Sequence, residues 1–206
     1  MGMGVGVEPP DERLVLLAKD GSRDAFNSLV ARYQGSVYSL CVRILGQPAA
    51  AEDATQEAFI SAYRSIQSFQ GGNFRNWLLR IAANESKDEL RRRRRKDQAA
   101  SLAALSERRE APVEVPDAAE SALDALERRE FGAELETLLG QLPFEQRQAV
   151  ILVDIYDFQY DEVAQLTRTS VGTVKSRIHR GRERLRTLVL GQPELFDAIR
   201  RLARRG

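Results

Sequence analysis

The stretch Asp161–Arg186, DEVAQLTRTSVGTVKSRIHRGRERLR, reads as two short helices around a tight turn, the second of them strongly basic. With Ser170 as N-cap and Val171 as the first helical residue, helical periodicity gathers Val171, Val174, Ile178, Leu185 and Leu188 on one stripe expected to be buried, and Gly181 falls on it too. Lys175, His179, Arg182 and Arg186 follow one flank; Arg177, Arg180 and Arg184 follow the other. The face between them carries Gly172, Ser176 and Glu183. Cations on both flanks suit a helix lying in a major groove with phosphates on either side. A helix kept merely soluble mixes its charges, whereas from Arg168 onward this segment sets seven Lys and Arg against Glu183 alone. No Cys, His or carboxylate cluster stands near His179, so it reads as a phosphate or base contact and not as a metal ligand. Gly181 in mid-helix costs about 1 kcal/mol relative to Ala, and on the buried stripe it would permit close helix packing.

Working outward, GTVKSR (Gly172–Arg177) with HRGRERLR following resembles the promoter-binding helix-turn-helix of bacterial sigma factors, in particular the extracytoplasmic-function group of the sigma-70 family. The resemblance implies contacts to a minus-35 element from Thr173, Lys175, Ser176, Arg177, His179 and Arg180. Two positions depart from the family pattern: Arg168 stands where the turn glycine is usual, and Thr169 where an apolar residue follows it. The turn then either holds Arg168 at positive φ, at a cost of about 1 kcal/mol, or adopts another geometry. Response regulators carry a similar TVK helix, so the rest of the chain has to decide between the classes.

The composition of the 206 residues, 43% hydrophobic and 30% charged, allows one or two ordinary domains. Aromatic residues are few, and long β-branched runs and Asn-Gly hairpin signals are missing, which predicts an all-α fold. A single cysteine, Cys41, excludes an internal disulfide and a multi-thiolate metal site, and between Leu40 and Val42 it reads as core. Residues 1–10 lack the basic start and apolar centre of a signal peptide, and no run approaches the roughly 18 apolar residues of a membrane span; a cytoplasmic protein is expected. The net charge of +1 conceals segregation. Arg75–Lys96 has nine Lys and Arg against Glu85, Asp88 and Glu89, whereas Gln98–Gly140 has four Arg against ten Asp and Glu. Two basic blocks separated by an acidic one suggest two contacts with nucleic acid and a connector that avoids it.

In chain order, Asp11–Lys19 is a predicted helix stopped at Asp20-Gly21, and Ser22 or Asp24 caps a second one running through Phe26 and Leu29 to Ile44 before Gly46, Gln47 and Pro48. A third helix is expected from about Ala50 to Ile66, with Phe59, Ala62, Tyr63 and Ile66 inward and Asp53, Glu57, Ile60 and Arg64 outward. Like charges four apart, Asp53 and Glu57, cost an isolated helix a few tenths of a kcal/mol, and an isoleucine among them suits a partner surface. DATQEAF (Asp53–Phe59) is similar to the DxxQExF pattern with which these sigma factors engage the clamp helices of core RNA polymerase, which implies polymerase contacts at Asp53, Gln56, Glu57 and Ile60. After the glycine loop FQGGN (Phe69–Asn73), Asn73 caps a helix expected to reach about Lys96, with Phe74, Leu78 and Ile81 inward. Beside them Arg80, Asn84, Lys87 and Arg91 repeat at helical spacing, cations for phosphates and an amide for a base edge. FRNWLLRIAANESKDELRRRRR (Phe74–Arg95) resembles the melting and minus-10-reading segment of the family, with Trp77, Asn84, Asp88 and Arg91 at matching places. By that resemblance Gln70–Asn73 receives a base flipped from the non-template strand, while Trp77 reads as core.

Asp97–Ala119, with Pro112 and Pro116 among small and acidic residues, reads as a linker. A helix from Glu120 then leads into LPFEQRQAVILVDIYDF (Leu142–Phe158), which is similar to the family's LPxxxR segment and supplies a core helix ahead of the helix-turn-helix. The expectation is two small helical domains joined by a flexible linker: residues 11–96 as sigma domain 2, residues 97–119 as the acidic linker, residues 120–190 as sigma domain 4, and residues 191–206 as an amphipathic extension of unassigned role. Neither a phosphate-binding loop, nor metal-ligand spacing, nor a nucleophile beside a histidine is present, so an enzyme, a cofactor, a metal and a small-molecule substrate are all unexpected. The implied partners are core RNA polymerase and promoter DNA, without direct membrane insertion. No signal-sensing segment is evident, so the resemblance also implies an anti-sigma factor. The competing reading is a response-regulator-type helix-turn-helix DNA-binding regulator, whose receiver would need alternating βα units that residues 11–96 lack.

Overall fold

The computed structural model of the protein describes residues 9–100 and 132–192, with the side chains of 97–100 left aside. The first unit is four helices: α1 (Asp11–Lys19), α2 (Arg23–Leu45), α3 (Pro48–Ser65) and α4 (Phe74–Ala100), with a short 3-10 turn at Ile66–Ser68. The second comprises the helical residues 132–140 (α5), α6 (Phe144–Val150), α7 (Tyr160–Thr167) and α8 (Val171–Leu190). No strand occurs among the described residues.

Helix ends follow local chemistry. The Ser22 hydroxyl accepts from the Ala25 amide at 3.3 Å, so Ser22 rather than Asp24 caps α2. Gly46, at φ 72°, closes that helix in the left-handed conformation open to glycine. The Asn73 carboxamide accepts from the Asn76 amide at 3.0 Å and opens α4, which runs past the expected Lys96 to Ala100, into the residues read as linker.

The first core is built around α3, which packs on both α2 and α4. Its buried stripe is Ala51, Ala54, Ala58 and Ala62 with Ala50; of the inward residues expected from the sequence Ala62 and Ile66 are buried, while Phe59 is half-buried. Methyl side chains let three helices approach closely, and the bulk is supplied by Leu40, Ile44, Leu78 and Leu79 of the neighbours. Burying each of these is worth about 1.5–3 kcal/mol. Tyr63, expected inside, stays 43% exposed and meets Phe26 edge-on at 5.0 Å. Trp77, read as core, is half-buried against the core's edge, where it packs with Phe69 and Phe74 at centroid distances of 5.3 and 5.4 Å.

In the second unit α6 passes at Ile151–Ile155 into a π-helical turn that the sequence pattern did not signal. α8 then lies across α6 at Gly181, where an added Cβ would sit 2.7 Å from Val150 Cγ2. The glycine therefore permits the close approach expected of it. Residues 101–131, which hold most of the expected linker, and the extension 193–206 lie outside the described residues.

Candidate nucleic-acid interface

The helix-turn-helix is laid down by its caps and its turn. Glu162 and Gln159 form a capping box at the start of α7, with the Gln159 amide donating to Glu162 Oε2 at 2.8 Å. Arg168 ends α7 at φ 55° and ψ 49°, so the turn takes the left-handed geometry without the glycine that would adopt it freely. Ser170 caps α8, its hydroxyl accepting from the Thr173 amide at 3.1 Å and contacting the Thr173 hydroxyl at 2.9 Å. Val174, Ile178 and Gly181 are buried as expected, and Leu185 and Leu188 are half-buried. Val171 departs from the expected stripe and stays 39% exposed, because it sits at the helix's free first turn.

On the outer surface of α8 the residues Lys175, His179 and Arg180 are exposed, and Thr173, Ser176 and Arg177 half-buried. Arg180 is held by the Ser176 hydroxyl at 2.8 Å, and Lys175 lies 6.0 Å from the Tyr160 ring centroid. Arg182, one of the expected flank cations, has a partner within the protein: it grips Asp154 with two hydrogen bonds of 3.0 and 2.5 Å. That pairing was invisible in sequence, since the carboxylate comes from the π turn 28 residues away.

On α4, Asn84 and Arg91 are exposed, whereas Arg80 and Lys87 are half-buried. Arg80 forms an ion pair with Glu162 of the second unit, and its Nε is buried without a partner. Burial first, and then Arg91 with Arg168 and Arg177 of the second unit, push the Lys87 ammonium below its ordinary pKa, against the pull of Asp88. The arginine run beyond is partly neutralised: buried Glu89 binds Arg93 at 2.7 Å and Arg92 at 3.1 Å, and Asp88 stands 3.6 Å from Arg91.

Beside the start of α4, a cleft of about 570 Å³ opens between α1 and the loop Gln70–Asn73, whose Gly71 and Gly72 have φ of 100° and 89°. Asp11, Tyr33 and Arg75 line it with Phe69 and Phe74. Asp11 is fixed by Arg32 at 2.5 Å and by the Tyr33 hydroxyl, whose pKa is raised to about 12, chiefly by burial and then by that carboxylate. The sequence singled out the loop; the contribution of α1 depends on tertiary packing that no local motif records.

The residues Asp53, Gln56, Glu57 and Ile60 come together along α3, with Asp53 and Gln56 exposed and Glu57 and Ile60 half-buried. Asp53 is reached only at 3.9 Å by Arg93, which also donates to Gln47 at 2.6 Å. A carboxylate-rich strip with an apolar residue in it is thus left on the surface of the first unit.

Two helical units, each presenting a cationic helix and one of them a helix-turn-helix, define a two-part DNA-reading protein. Residues 29–96 match the family described as Sigma-70 region 2, and residues 132–185 match Sigma-70, region 4. The chain is 39% identical over 186 residues to the ECF RNA polymerase sigma factor SigE of Mycolicibacterium smegmatis, covering 87% of this chain and 69% of that one. It is 36% identical to the RNA polymerase sigma-H factor of Pseudomonas aeruginosa, over 91% of this chain and 97% of the relative. The chain belongs to the extracytoplasmic-function group of the sigma-70 family. It is accordingly an alternative sigma factor, and the response-regulator reading that the TVK helix alone would permit is not favoured.

Solved relatives share the fold. The sigma factor RpoE in complex with the anti-sigma factor NepR from Bartonella quintana superposes with a TM-score of 0.62 at 24% identity, covering 81% of this chain and 98% of that one. CnrH in complex with the cytosolic domain of CnrY gives 0.57 at 25% identity, covering 88% and 98%. No described helix is long and apolar enough to cross a membrane.

Proposed function

We propose that the chain joins core RNA polymerase through Asp53, Gln56, Glu57 and Ile60 of α3, and reads a promoter at two places. Arg80, Asn84, Lys87 and Arg91 of α4 take the minus-10 element, and Thr173, Lys175, Ser176, Arg177, His179 and Arg180 of α8 the minus-35 element. The observation that carries this reading is the repetition of one device, a cap-defined helix with cations beside a small polar reading face, in two units that match region 2 and region 4. The functional boundaries are residues 11–96 and 120–190, with 97–119 as the connector between them. The protein is a cytoplasmic non-enzyme that lends promoter choice to the polymerase. A separate anti-sigma factor restrains it, a reading supported by the solved relatives, which were captured with NepR and with the cytosolic domain of CnrY.

The test is assembly with purified core polymerase. Asp53→Ala with Glu57→Ala removes two like charges four apart on an exposed surface, so helix content should hold or rise slightly. Affinity for core should fall by about tenfold or more, as for the loss of a central interface contact. Full retention of affinity with intact helix content would remove α3 from the interface.

A further inference from the structure

The surface of α4 read as the minus-10 contact is occupied by the chain's own second unit. Arg80 is ion-paired with Glu162 on α7. Three residues along α4, the Ala83 carbonyl accepts from Gln148 Nε2 of α6 at 3.4 Å. One turn further on, Arg168 of the turn and Arg177 of the reading helix help to lower the Lys87 pKa by charge repulsion, after burial and Arg91. At the other end of the seam Tyr156, 5% exposed, is inserted between two arginines of the first unit: Arg43 donates to its hydroxyl at 3.1 Å, and the Arg75 guanidinium lies 5.7 Å from its ring centroid. Tyr156 thus supplies an anchor, while the α4 end combines one attractive pair with several cations held close together.

We infer that the two units form a self-closed state in which Glu162 takes the place of a DNA phosphate on Arg80, so that promoter strands and the second unit compete for the same side of α4. The inference rests on the reading of Arg80 as a DNA contact. The design is poised to open. Among the described residues Glu162 is the one carboxylate paired with Arg80, whose Nε is left buried without a partner, and closure adds the repulsion of Arg168 and Arg177 to Lys87. A polyanion entering the seam relieves that crowding and replaces Glu162 with phosphates.

The experiment uses the full chain, labelled for energy transfer at Arg64→Cys and Thr187→Cys, both on exposed residues of different units; Cys41 is buried and remains unlabelled. The probe is a fluorescein-labelled single-stranded DNA 20-mer of random sequence, because phosphate contacts do not depend on sequence. Glu162→Gln keeps an acceptor for the capping box of α7 and removes the charge. It should lower energy transfer and tighten probe binding about two- to fivefold, the range of a half-exposed ion pair. Arg80→Ala should also lower energy transfer but weaken probe binding. The exchanged pair, Arg80→Glu with Glu162→Arg, should regain energy transfer while binding the probe poorly, a result that mere disruption of α7 cannot give. If Glu162→Gln changes neither signal while Arg80→Ala weakens binding, the latch is refuted and the DNA contact stands. If Arg80→Ala leaves probe binding unchanged, the DNA contact itself falls and the inference falls with it.

Discussion

The two cationic helices, α4 and α8, look alike in sequence and differ in the folded chain. On α8 the reading residues Lys175, His179 and Arg180 are exposed, steadied by neighbours on the same helix or the one before it, while Arg177 acts on Lys87 across the seam. On α4 the corresponding positions are engaged from outside: Arg80 by Glu162, and Lys87 by the crowding of Arg168 and Arg177. A helix whose polar face is satisfied locally is available at once. One whose face is satisfied by a distant segment has to be uncovered first, and its availability becomes a property of the whole chain.

The largest effect expected from this comparison concerns how α8 is seated. Gly181→Ala gains about 1 kcal/mol of helix propensity, but its Cβ would lie 2.7 Å from Val150 Cγ2, a side chain only 4% exposed that has little room to retreat. Overpacking of this kind costs typically 1–3 kcal/mol. Denaturant unfolding should show a net loss of up to about 2 kcal/mol; a stabilised variant would mean that α6 and α8 are not in close contact.

A smaller effect separates two arginines of α8. Arg180→Ala should weaken binding to minus-35 duplex and lower the slope of log affinity against log salt by about one unit. Arg182→Ala should leave that slope unchanged and cost about 0.2–1 kcal/mol of stability, since its partner is Asp154 and both groups are partly solvated. Equal slopes for the two variants would dissolve the distinction between a free cation and a structural one.

The smallest effect falls at the turn. Arg168→Gly removes the left-handed strain at φ 55° and should stabilise the helix-turn-helix by up to about 1 kcal/mol, read by thermal unfolding. It also takes one cation from beside Lys87. Destabilisation on making this change would show that the guanidinium contributes more than its backbone conformation costs.

What was legible in the sequence was whatever short-range chemistry determines. Ser170 and Asn73 declared the starts of α8 and α4, and Ser22 or Asp24 that of α2, because a cap bonds to an amide three residues away. Gly181 could be read as a packing glycine because helical periodicity placed it on an apolar stripe. The inward face of α3 was legible only in part: Ala62 and Ile66 are buried as periodicity indicates, but the space left by α2 and α4 takes the small Ala51, Ala54 and Ala58, leaving Phe59 half-buried and Tyr63 exposed. Nothing local connects Arg80 to Glu162, Arg182 to Asp154, or Asp11 to the glycine loop, so those relations came only with the fold. Arg147 belongs with them. It lay in a recognisable LPxxxR segment, yet its burial, with a guanidinium nitrogen 3.5 Å from the Gly140 carbonyl and 3.3 Å from where a Cβ on Gly46 would stand, follows from helix ends brought together by tertiary packing.

The most direct test of the central claim, that two helices of one chain read two elements of one promoter, is site-specific photocross-linking in a complex of the full chain, core polymerase and a promoter fragment. A photoreactive side chain at Asp88, one turn beyond Asn84, and another at Glu183, one turn beyond His179, would report from α4 and α8 without removing a reading residue; both positions are exposed. Two separate cross-linked patches are expected, the upstream one from α8 on duplex and the downstream one from α4 on the non-template strand, the latter appearing only when core polymerase is present. Cross-links from both positions to a single patch, or from Asp88 to none in the assembled complex, would contradict it.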